Sequence, residues 1–286
     1  MLLPLCRSVV ERADGETMAI ASAPLAFEKY EGSGNDFLLV EASDENAVPR
    51  DLAVALCDRH FGVGADGVLL ILPARSPECA ARMRVINADG SIPEMCGNGA
   101  RCVALHIAHG KRAASLRIET DAGVRECRLE RGDGEAMITV DMGIVRVAED
   151  DALQIDGKSF AVSVANAGNP HAVLFGNFSR KDAEHLGPRI ATHPSFPRGT
   201  NVEFARTSGE RIDLLVWERG VGMTSACGTG ACATVAVACR KGLVRLGVPV
   251  TVVLPGGQLE IAVAEDGRTT LRGPARHVFS GRLAGA

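Results

Sequence analysis

The chain has 286 residues, of which 46% are hydrophobic and 23% are charged, and its formal net charge is -4. This length suits one large domain or two smaller ones, and the charge gives no electrostatic footprint for nucleic acid or an anionic membrane. Because the longest uncharged apolar stretches fall well short of the roughly 20 residues of a membrane span, we expect binding to neither nucleic acid nor membrane.

The first 24 residues are weakly patterned. Charged residues at Arg7, Glu11, Arg12, Asp14 and Glu16 interrupt every apolar run before it reaches the length of a secretion signal. We therefore expect residues 1–24 to be a disordered extension.

The first half then alternates strands with glycine-rich turns. Apolar alternation predicts strands on both sides of a turn at residues 32–35, a helix over residues 51–59, and strands over 68–72 and 82–87. A helical run after Cys96 ends in Gly110-Lys111-Arg112, and hairpins with turns at 122–123 and 133–134 fill residues 115–142.

The second half repeats this order. Strands are predicted over 158–165, 172–175, 201–205 and 211–217, a helical run follows Cys227 to residue 242, and strands return over 250–254 and 259–264. An internal duplication with a boundary near residues 142–150 explains both halves, and it predicts an α+β protein of two similar domains.

Nine cysteines at irregular spacings, without a Cys-x-x-Cys pair, match neither a disulfide framework nor a structural zinc site. We expect no metal, and we place the protein in the reducing cytoplasm, where most of these cysteines are small buried hydrophobes.

Two cysteines stand in matching turns, PEMCGNGAR at residues 93–101 and TSACGTGAC at residues 224–232. A cysteine at a helix start lies near unpaired backbone N–H groups, which favour its thiolate and can lower its pKa below the usual value of about 8.5. A single turn of this kind could serve only to pack a cysteine under a loop at a helix start. Two opposed thiols, however, are what a reaction needs to remove a proton from one face of a carbon and deliver one to the other.

Several stretches resemble the diaminopimelate epimerases, which interconvert LL- and meso-diaminopimelate without a cofactor. They are KYEGSGNDF (29–37), DRHFGVGADG (58–67), NADG (87–90), EMCGNGARC (94–102), NPH (169–171), GTNVEF (199–204) and WERGVGMTSACGTGACA (217–233). The resemblance implies two pseudo-symmetric domains, each a strand-rich, barrel-like sheet around a central helix. We expect an N-terminal domain over residues 25–142, completed by residues 275–286, and a C-terminal domain over 143–274.

The resemblance also implies roles for individual residues. Cys96 and Cys227 would be the acid-base pair, and His171 would support the site near the first cysteine. The backbone amides expected at the reacting carboxylate are those of Gly97, Asn98, Gly228 and Thr229. The residues expected to hold the rest of the substrate are Asn35, Asn87, Asn169, Asn201, Glu218 and Arg219. The implied partner is a small molecule, diaminopimelate. We also expect the protein to form a homodimer.

Other functions stay open at this point. Racemases of proline, hydroxyproline or another amino acid also use paired Cys-Gly turns, whereas a cysteine hydrolase needs only one cysteine with an oriented histidine. A non-catalytic binding protein would need no thiols, and a redox pair would need the two cysteines to meet. One departure from the family is Met223, where members commonly have Glu, and it leaves the substrate range open.

Overall fold

The computed structural model describes residues 9–11, 17–19, 24–109, 113–131 and 136–283. In the amino-terminal segment, strands β1 (Val9–Glu11) and β2 (Thr17–Ala19) pair antiparallel. The other residues up to position 23 lie outside the described residues, so the disordered extension stays a prediction. Residues 110–112 and 133–134, predicted as a helix end and a turn, lie outside them as well.

Sixteen strands form one continuous sheet, and four helices lie within the described ranges. The strands are β3 (Leu25–Gly32), β4 (Asn35–Glu41), β5 (Gly67–Leu72), β6 (Ala81–Asn87), β7 (Ala113–Thr120), β8 (Gly123–Arg131), β9 (Ala136–Ile144), β10 (Arg146–Ile155), β11 (Lys158–Asn166), β12 (Pro170–Phe175), β13 (Asn201–Ser208), β14 (Arg211–Glu218), β15 (Gly222–Thr224), β16 (Val250–Leu254), β17 (Gly257–Val263) and β18 (Arg268–Leu283). The helices are α1 (Arg50–Cys57), α2 (Gly97–Ile107), α3 (Arg180–Ala191) and α4 (Gly228–Arg240).

The first half closes into a barrel of eight strands in the order β3, β4, β5, β6, β7, β8, β9 and β18, because β18 pairs with both β9 and β3. Two neighbouring pairs are parallel, β4 with β5 and β6 with β7. Helix α1 connects the first of these pairs and α2 the second. Nine consecutive residues of α2, from Gly97 to Leu105, are buried, so α2 is the centre of this barrel.

The second half repeats the arrangement with β10, β11, β12, β13, β14, β16, β17 and β18. Its parallel pairs are β12 with β13, connected by α3, and β14 with β16, connected by α4. Helix α4 is buried from Gly228 to Ala238. The prediction of an α+β fold with two pseudo-symmetric, barrel-like domains around central helices is therefore confirmed.

The two halves are joined through one continuous sheet and not by a linker. Strands β9 and β10 follow one another with only Val145 between them, so the chain crosses the predicted boundary near 142–150 in strand conformation. Residues Arg268–Ala275 of β18 pair with β9, and residues Arg276–Leu283 pair with β3. This pairing fits the assignment of the carboxy-terminal residues to the first domain, although the limits 25–142 and 143–274 stay a prediction. None of the helices in the described ranges is long and apolar enough to span a membrane.

Candidate active site

Both repeated cysteines cap the central helix of their own half. Cys96 precedes α2, and its Sγ accepts a hydrogen bond from the backbone N–H of Gly99 at 3.4 Å. Cys227 precedes α4, and its Sγ accepts from Gly230 at the same distance, 3.4 Å. Both cysteines are extended, with φ of -136° and -129°. The duplication has thus preserved the geometry of the turn.

The two helix starts face each other across the boundary between the halves. A β-carbon added at Gly228 would lie 3.7 Å from the Cα of Gly97 and 3.5 Å from the Oδ1 of Asn98. It would also lie 3.0 Å from the side chain of Leu271 on the shared strand β18. A β-carbon here would therefore be in van der Waals contact with the first turn, and the side chain of Leu271 would have to move to make room for it.

A cavity of about 620 Å³ lies between the halves and brings most of the predicted residues together. Those that line it are Asn35, Asn87, Cys96, Gly97, Asn98, Asn169, Glu218, Cys227, Gly228 and Thr229. Met223 lines it as well. Asn201, Arg219 and His171 are not among its lining residues. The backbone N–H of Arg219 donates to the Oδ1 of Asn201 at 2.9 Å, so these two residues are held to each other outside the lining.

His171 belongs to a buried pair on the side of Cys227. Its Nδ1 lies 2.7 Å from Oε1 of Glu203, its Nε2 lies 2.7 Å from Oδ1 of Asn169, and the side chains of His171 and Glu203 are fully buried. A β-carbon added at Gly230 would lie 2.7 Å from the same Oε1 atom, so Glu203 packs under the start of α4. The resemblance had placed His171 near Cys96, whereas these contacts lie next to the second helix.

Two residues of this site were missed from the sequence, namely Glu203 and Arg101, and a third, Asp66, was covered only by the stretch DRHFGVGADG (58–67) of the family resemblance. The Oε2 atom of Glu203 is buried and has no hydrogen-bond partner among the described residues. Arg101, on the second turn of α2, donates to Oδ1 of Asn98 at 2.9 Å, and Asp66 accepts from Nδ2 of Asn35 at 2.7 Å. Of the two missed residues, the sequence distinguished Arg101 alone, because it occupies the place in the first turn that Cys232 holds in the second.

The expectation of cysteine pKa values below the usual range is wrong at this site. Burial raises the pKa of Cys96 to about 11, although the N–H of Gly99 and the charge of Arg101 act in the opposite direction. Burial also raises the pKa of Cys227 well above its usual value, and the nearby Glu218 and Glu203 raise it further. The cause is desolvation, which disfavours the thiolate more than one helix start favours it. Burial likewise raises the pKa of Glu218, whose Oε1 accepts from Thr224 at 2.6 Å.

Within the described residues, no group of three or more His, Cys, Asp or Glu side chains is placed to hold a metal ion. The eight cysteines of the described ranges are free thiols. What the cavity offers to a ligand is therefore two thiols, two sets of helix-start amides, several side-chain amides, the carboxyl groups of Asp66, Asp89 and Glu218, and the guanidinium of Arg59.

Known proteins are similar to this chain in sequence and in fold. A family model described as diaminopimelate epimerase matches residues 27–148 and 163–278. The diaminopimelate epimerase of Synechocystis sp. is 44% identical over 280 residues, which cover 90% of this chain and 98% of the relative. That of Microcystis aeruginosa is 42% identical over 281 residues, with 90% of this chain and 98% of the relative covered.

Among solved structures, a hydroxyproline epimerase from Agrobacterium vitis superposes with a TM-score of 0.72 at 16% identity, covering 93% of this chain and 94% of that one. A Bacillus anthracis phenazine biosynthesis protein of the PhzF family superposes with a TM-score of 0.72 at 15% identity, covering 91% and 99%. At such identities the likeness shows the fold alone. The family model and the close relatives both span the two cysteine turns, and the chain accordingly belongs to the diaminopimelate epimerase family and is an epimerase.

Proposed function

We propose that the protein inverts one α-carbon of LL-diaminopimelate to give meso-diaminopimelate by a two-base thiol mechanism, in the biosynthesis of lysine and of a peptidoglycan precursor. The observation that carries this proposal is the opposition of Cys96 and Cys227 at the facing starts of α2 and α4, inside one cavity. A single-base enzyme has no use for a second thiol held in the same geometry.

In the proposed reaction, the thiolate of one cysteine removes the α-proton. The Cα–H bond breaks, its electron pair delocalises into the substrate carboxylate, and the proton is held on sulfur. The thiol of the other cysteine then delivers its proton to the opposite face of the carbon, so an S–H bond breaks and a new Cα–H bond forms. The two cysteines thereby exchange protonation states, and the reverse reaction uses them in the opposite order.

The helix starts would stabilise the charge that develops. Backbone N–H groups of Gly97, Asn98, Gly228 and Thr229 converge where the turns meet, and the positive ends of two helix dipoles add to them. Fixed donors in a water-poor cavity stabilise a developing anion strongly, and this electrostatic contribution is typically the largest in catalysis.

The raised thiol pKa values fit a site that is activated by its substrate. With burial holding the pKa of Cys96 at about 11, a neutral thiol is the resting form at pH 7. An α-ammonium group bound beside the sulfur would favour the thiolate, because a nearby positive charge stabilises a negative one. We assign the distal ammonium to Glu218, and the distal carboxylate to Arg219 and the asparagines Asn35, Asn87, Asn169 and Asn201.

We further propose that the protein acts in the cytoplasm as a homodimer. Two free catalytic thiols need a reducing compartment, which supports the cytoplasm. Strand β18 exposes Val278 and Phe279 at 48% and 44% of their surfaces, and adjacent exposed apolar residues support a protein interface. Sedimentation at several protein concentrations would measure the oligomeric state.

The function is tested by incubating the purified protein with LL-diaminopimelate in deuterium oxide under reducing conditions. We expect meso-diaminopimelate with deuterium at one α-carbon, detected by chiral chromatography and mass spectrometry. Exchange with proline or hydroxyproline but not with diaminopimelate would replace the substrate. Absence of exchange with every amino acid tried would contradict the mechanism.

The two-base step is tested with Cys96→Ala and Cys227→Ala. Each variant should lose epimerisation by a factor of at least about 100, the lower end of the usual contribution of general acid-base catalysis. Cys239→Ala is the matched control, because this half-buried cysteine lies at the far end of α4. A folded Cys96→Ala or Cys227→Ala variant with full turnover would remove that cysteine from the mechanism.

A further inference from the structure

The guanidinium of Arg101 is fully buried beside the site, and only neutral groups accept its hydrogen bonds. It donates to Oδ1 of Asn98 at 2.9 Å, to Oγ of Ser33 at 3.0 Å and to the carbonyl oxygen of Pro274 at 3.0 Å. In the described part of the chain, no carboxylate lies within ion-pair distance of it. Burying a charge without a counter-ion is costly, so a stability role alone does not explain this arginine.

What Arg101 determines is the direction of an amide. A guanidinium can only donate hydrogen bonds, so Asn98 has to turn its oxygen toward Arg101 and its nitrogen away. The Nδ2 of Asn98 then donates to Oδ1 of Asn35 at 3.1 Å, which in turn directs the nitrogen of Asn35 away from Asn98. One buried donor thus orients two asparagines in sequence.

At the other end of this series of hydrogen bonds lies the carboxylate of Asp66, which can only accept. Oδ2 of Asp66 accepts from Nδ2 of Asn35 at 2.7 Å and from the backbone N–H of Asp36 at 3.0 Å. Its Oδ1 accepts from Arg59 at 2.7 Å. With a donor-only group at one end and an acceptor-only group at the other, both amides have a single consistent orientation.

This orientation decides what the cavity offers to a ligand. Each amide nitrogen carries two N–H groups, and each uses one of them among the described residues. Asn35 and Asn98 both line the cavity. One N–H of each therefore remains for a hydrogen-bond acceptor, which suits a carboxylate and disfavours a donor such as a carboxamide NH₂ or an ammonium group.

We propose that Arg101 and Asp66 are positioning residues that set the polarity of the Asn98–Asn35 amide pair, so that this wall of the cavity selects a carboxylate. The inference rests on the proposed function and adds the origin of the site's preference for an anionic group.

An arginine is needed because three acceptors on three different segments have to be reached at once. Ser33 lies in the β3–β4 turn, Pro274 in β18 and Asn98 in α2. Two glycines make room for the planar group, since a β-carbon at Gly32 would lie 3.0 Å from Nη2 and one at Gly273 would lie 3.3 Å from Cζ. The ammonium of a lysine is a single point and cannot serve all three acceptors.

The test compares LL-diaminopimelate with its monoamide, in which one carboxylate is a carboxamide, on the parent and on Asp66→Asn. The side chain of the variant has the same size but can also donate, so the acceptor-only end is lost and the orientation of Asn35 depends on the 3.1 Å hydrogen bond from Asn98 alone. We expect KM for diaminopimelate to rise about tenfold, the size expected when one hydrogen bond to a charged group is lost. The inhibition constant of the monoamide should stay the same or fall.

Arg101→Met should show the same loss of preference, and Arg101→Lys should recover part of it. Ser33→Ala is the matched control, because it removes another acceptor of Arg101 and leaves the amide pair intact. Its ratio of monoamide to diaminopimelate constants should stay within about twofold of the parent. Thermal unfolding establishes that each variant is folded.

A purely structural role would weaken both ligands equally. The inference is overturned if folded Asp66→Asn and Arg101→Met keep the parental ratio of the two constants. If the parent protein epimerises diaminopimelate while the variants keep this ratio, the inference fails and the proposed function is still supported. A parent that neither epimerises diaminopimelate nor binds it in calorimetry overturns both.

Discussion

At the scale of single residues, the two cysteines have the same backbone geometry and different electrostatic surroundings. A β-carbon on the second glycine of the first turn, Gly99, would meet Leu69, whereas the equivalent atom on Gly230 would meet Glu203. Glu218 disfavours the thiolate of both cysteines, whereas Arg101 favours only that of Cys96 and Glu203 disfavours that of Cys227. Duplication supplied two equal turns, and later substitutions made them chemically different.

The substitution Glu203→Gln should make Cys227 more reactive. Burial is the main reason for the high pKa of Cys227, but the charge of Glu203 adds to it, so a neutral side chain of the same size lowers that pKa. We expect alkylation of Cys227 by iodoacetamide at pH 8.5 to become severalfold faster, because the thiolate is the nucleophile. Mass spectrometry of the labelled peptides gives the rate, and the Cys96 peptide is the internal control. Equal Cys227 rates in parent and variant would contradict this prediction.

At the scale of elements, two tight turns from different halves hold the site together. Gly34 in the β3–β4 turn packs on Gly256, which lies between β16 and β17. A β-carbon added at Gly256 would lie 2.2 Å from the carbonyl oxygen of Ser33. The N–H of Gly256 donates to the carbonyl oxygen of Ser225 at 2.8 Å, two residues before Cys227. Ser33 itself has a φ of 56°, a left-handed conformation that few non-glycine residues adopt. These turns therefore set the position of one cysteine turn relative to the other half.

The substitution Gly256→Ala should separate the two halves at this contact. Overpacking of this kind typically costs about 1–3 kcal/mol of stability, and we expect kcat/KM to fall at least about tenfold, because small misplacements of reacting groups are costly. Gly209→Ala is the control, since its φ of 59° disfavours alanine although no atom lies within 4 Å of the added carbon. The control should lose stability and keep its activity. Full activity in a folded Gly256→Ala variant would show that the turn contact does not align the site.

Local patterns in the sequence predicted many of these elements, and the exceptions have physical reasons. Helices α2 and α4 follow from apolar runs after Cys96 and Cys227. Helix α3 was not predicted, although Ser179 and Asp182 form a capping box at its start; its mean hydropathy is low because charged residues cover its exposed face. The closure of the barrel by β18 was expected from the family resemblance alone, since pairing between distant segments leaves no trace in local periodicity.

The same limit applies to the site. Cys96, Cys227 and the glycines beside them could be found from a repeated motif, and the asparagines from the resemblance. Glu203 could not, because it lies on an ordinary strand and reaches the start of α4 only after the sheet has formed. The cysteine pKa values were predicted in the wrong direction, since the burial of the two thiols depends on the assembled halves and not on the turn.

At the scale of the whole molecule, buried thiols couple stability to alkaline pH. Burial raises the pKa of Cys57, Cys127 and Cys232 to about 12 each. The unfolded chain loses these protons near pH 8.5, so between about pH 8.5 and pH 12 the folded state binds more protons than the unfolded state. The stabilisation is fully present below this window and is lost as pH rises through it, by up to about 1.4 kcal/mol per pH unit for each thiol.

We therefore expect the free energy of unfolding in urea to fall clearly between pH 8 and pH 10 under reducing conditions. The variant Cys127→Ala should be less stable at pH 8, because it leaves a small cavity, and should show a shallower decline with pH. Cys239→Ala, which removes a half-buried thiol, should change the slope less. A parental free energy that does not vary over this range would contradict the prediction.

Strand β18 also determines when the protein can complete its fold during synthesis. Its 16 residues are the last described strand, yet they complete the barrel that begins with the first residues of β3. During synthesis the first half emerges before β18 and lacks its eighth strand until β18 has been made, so β3 and β9 remain open edges, which are prone to wrong pairing. The two halves thus cannot mature one after the other, and the facing thiols come together only after β18 has been made.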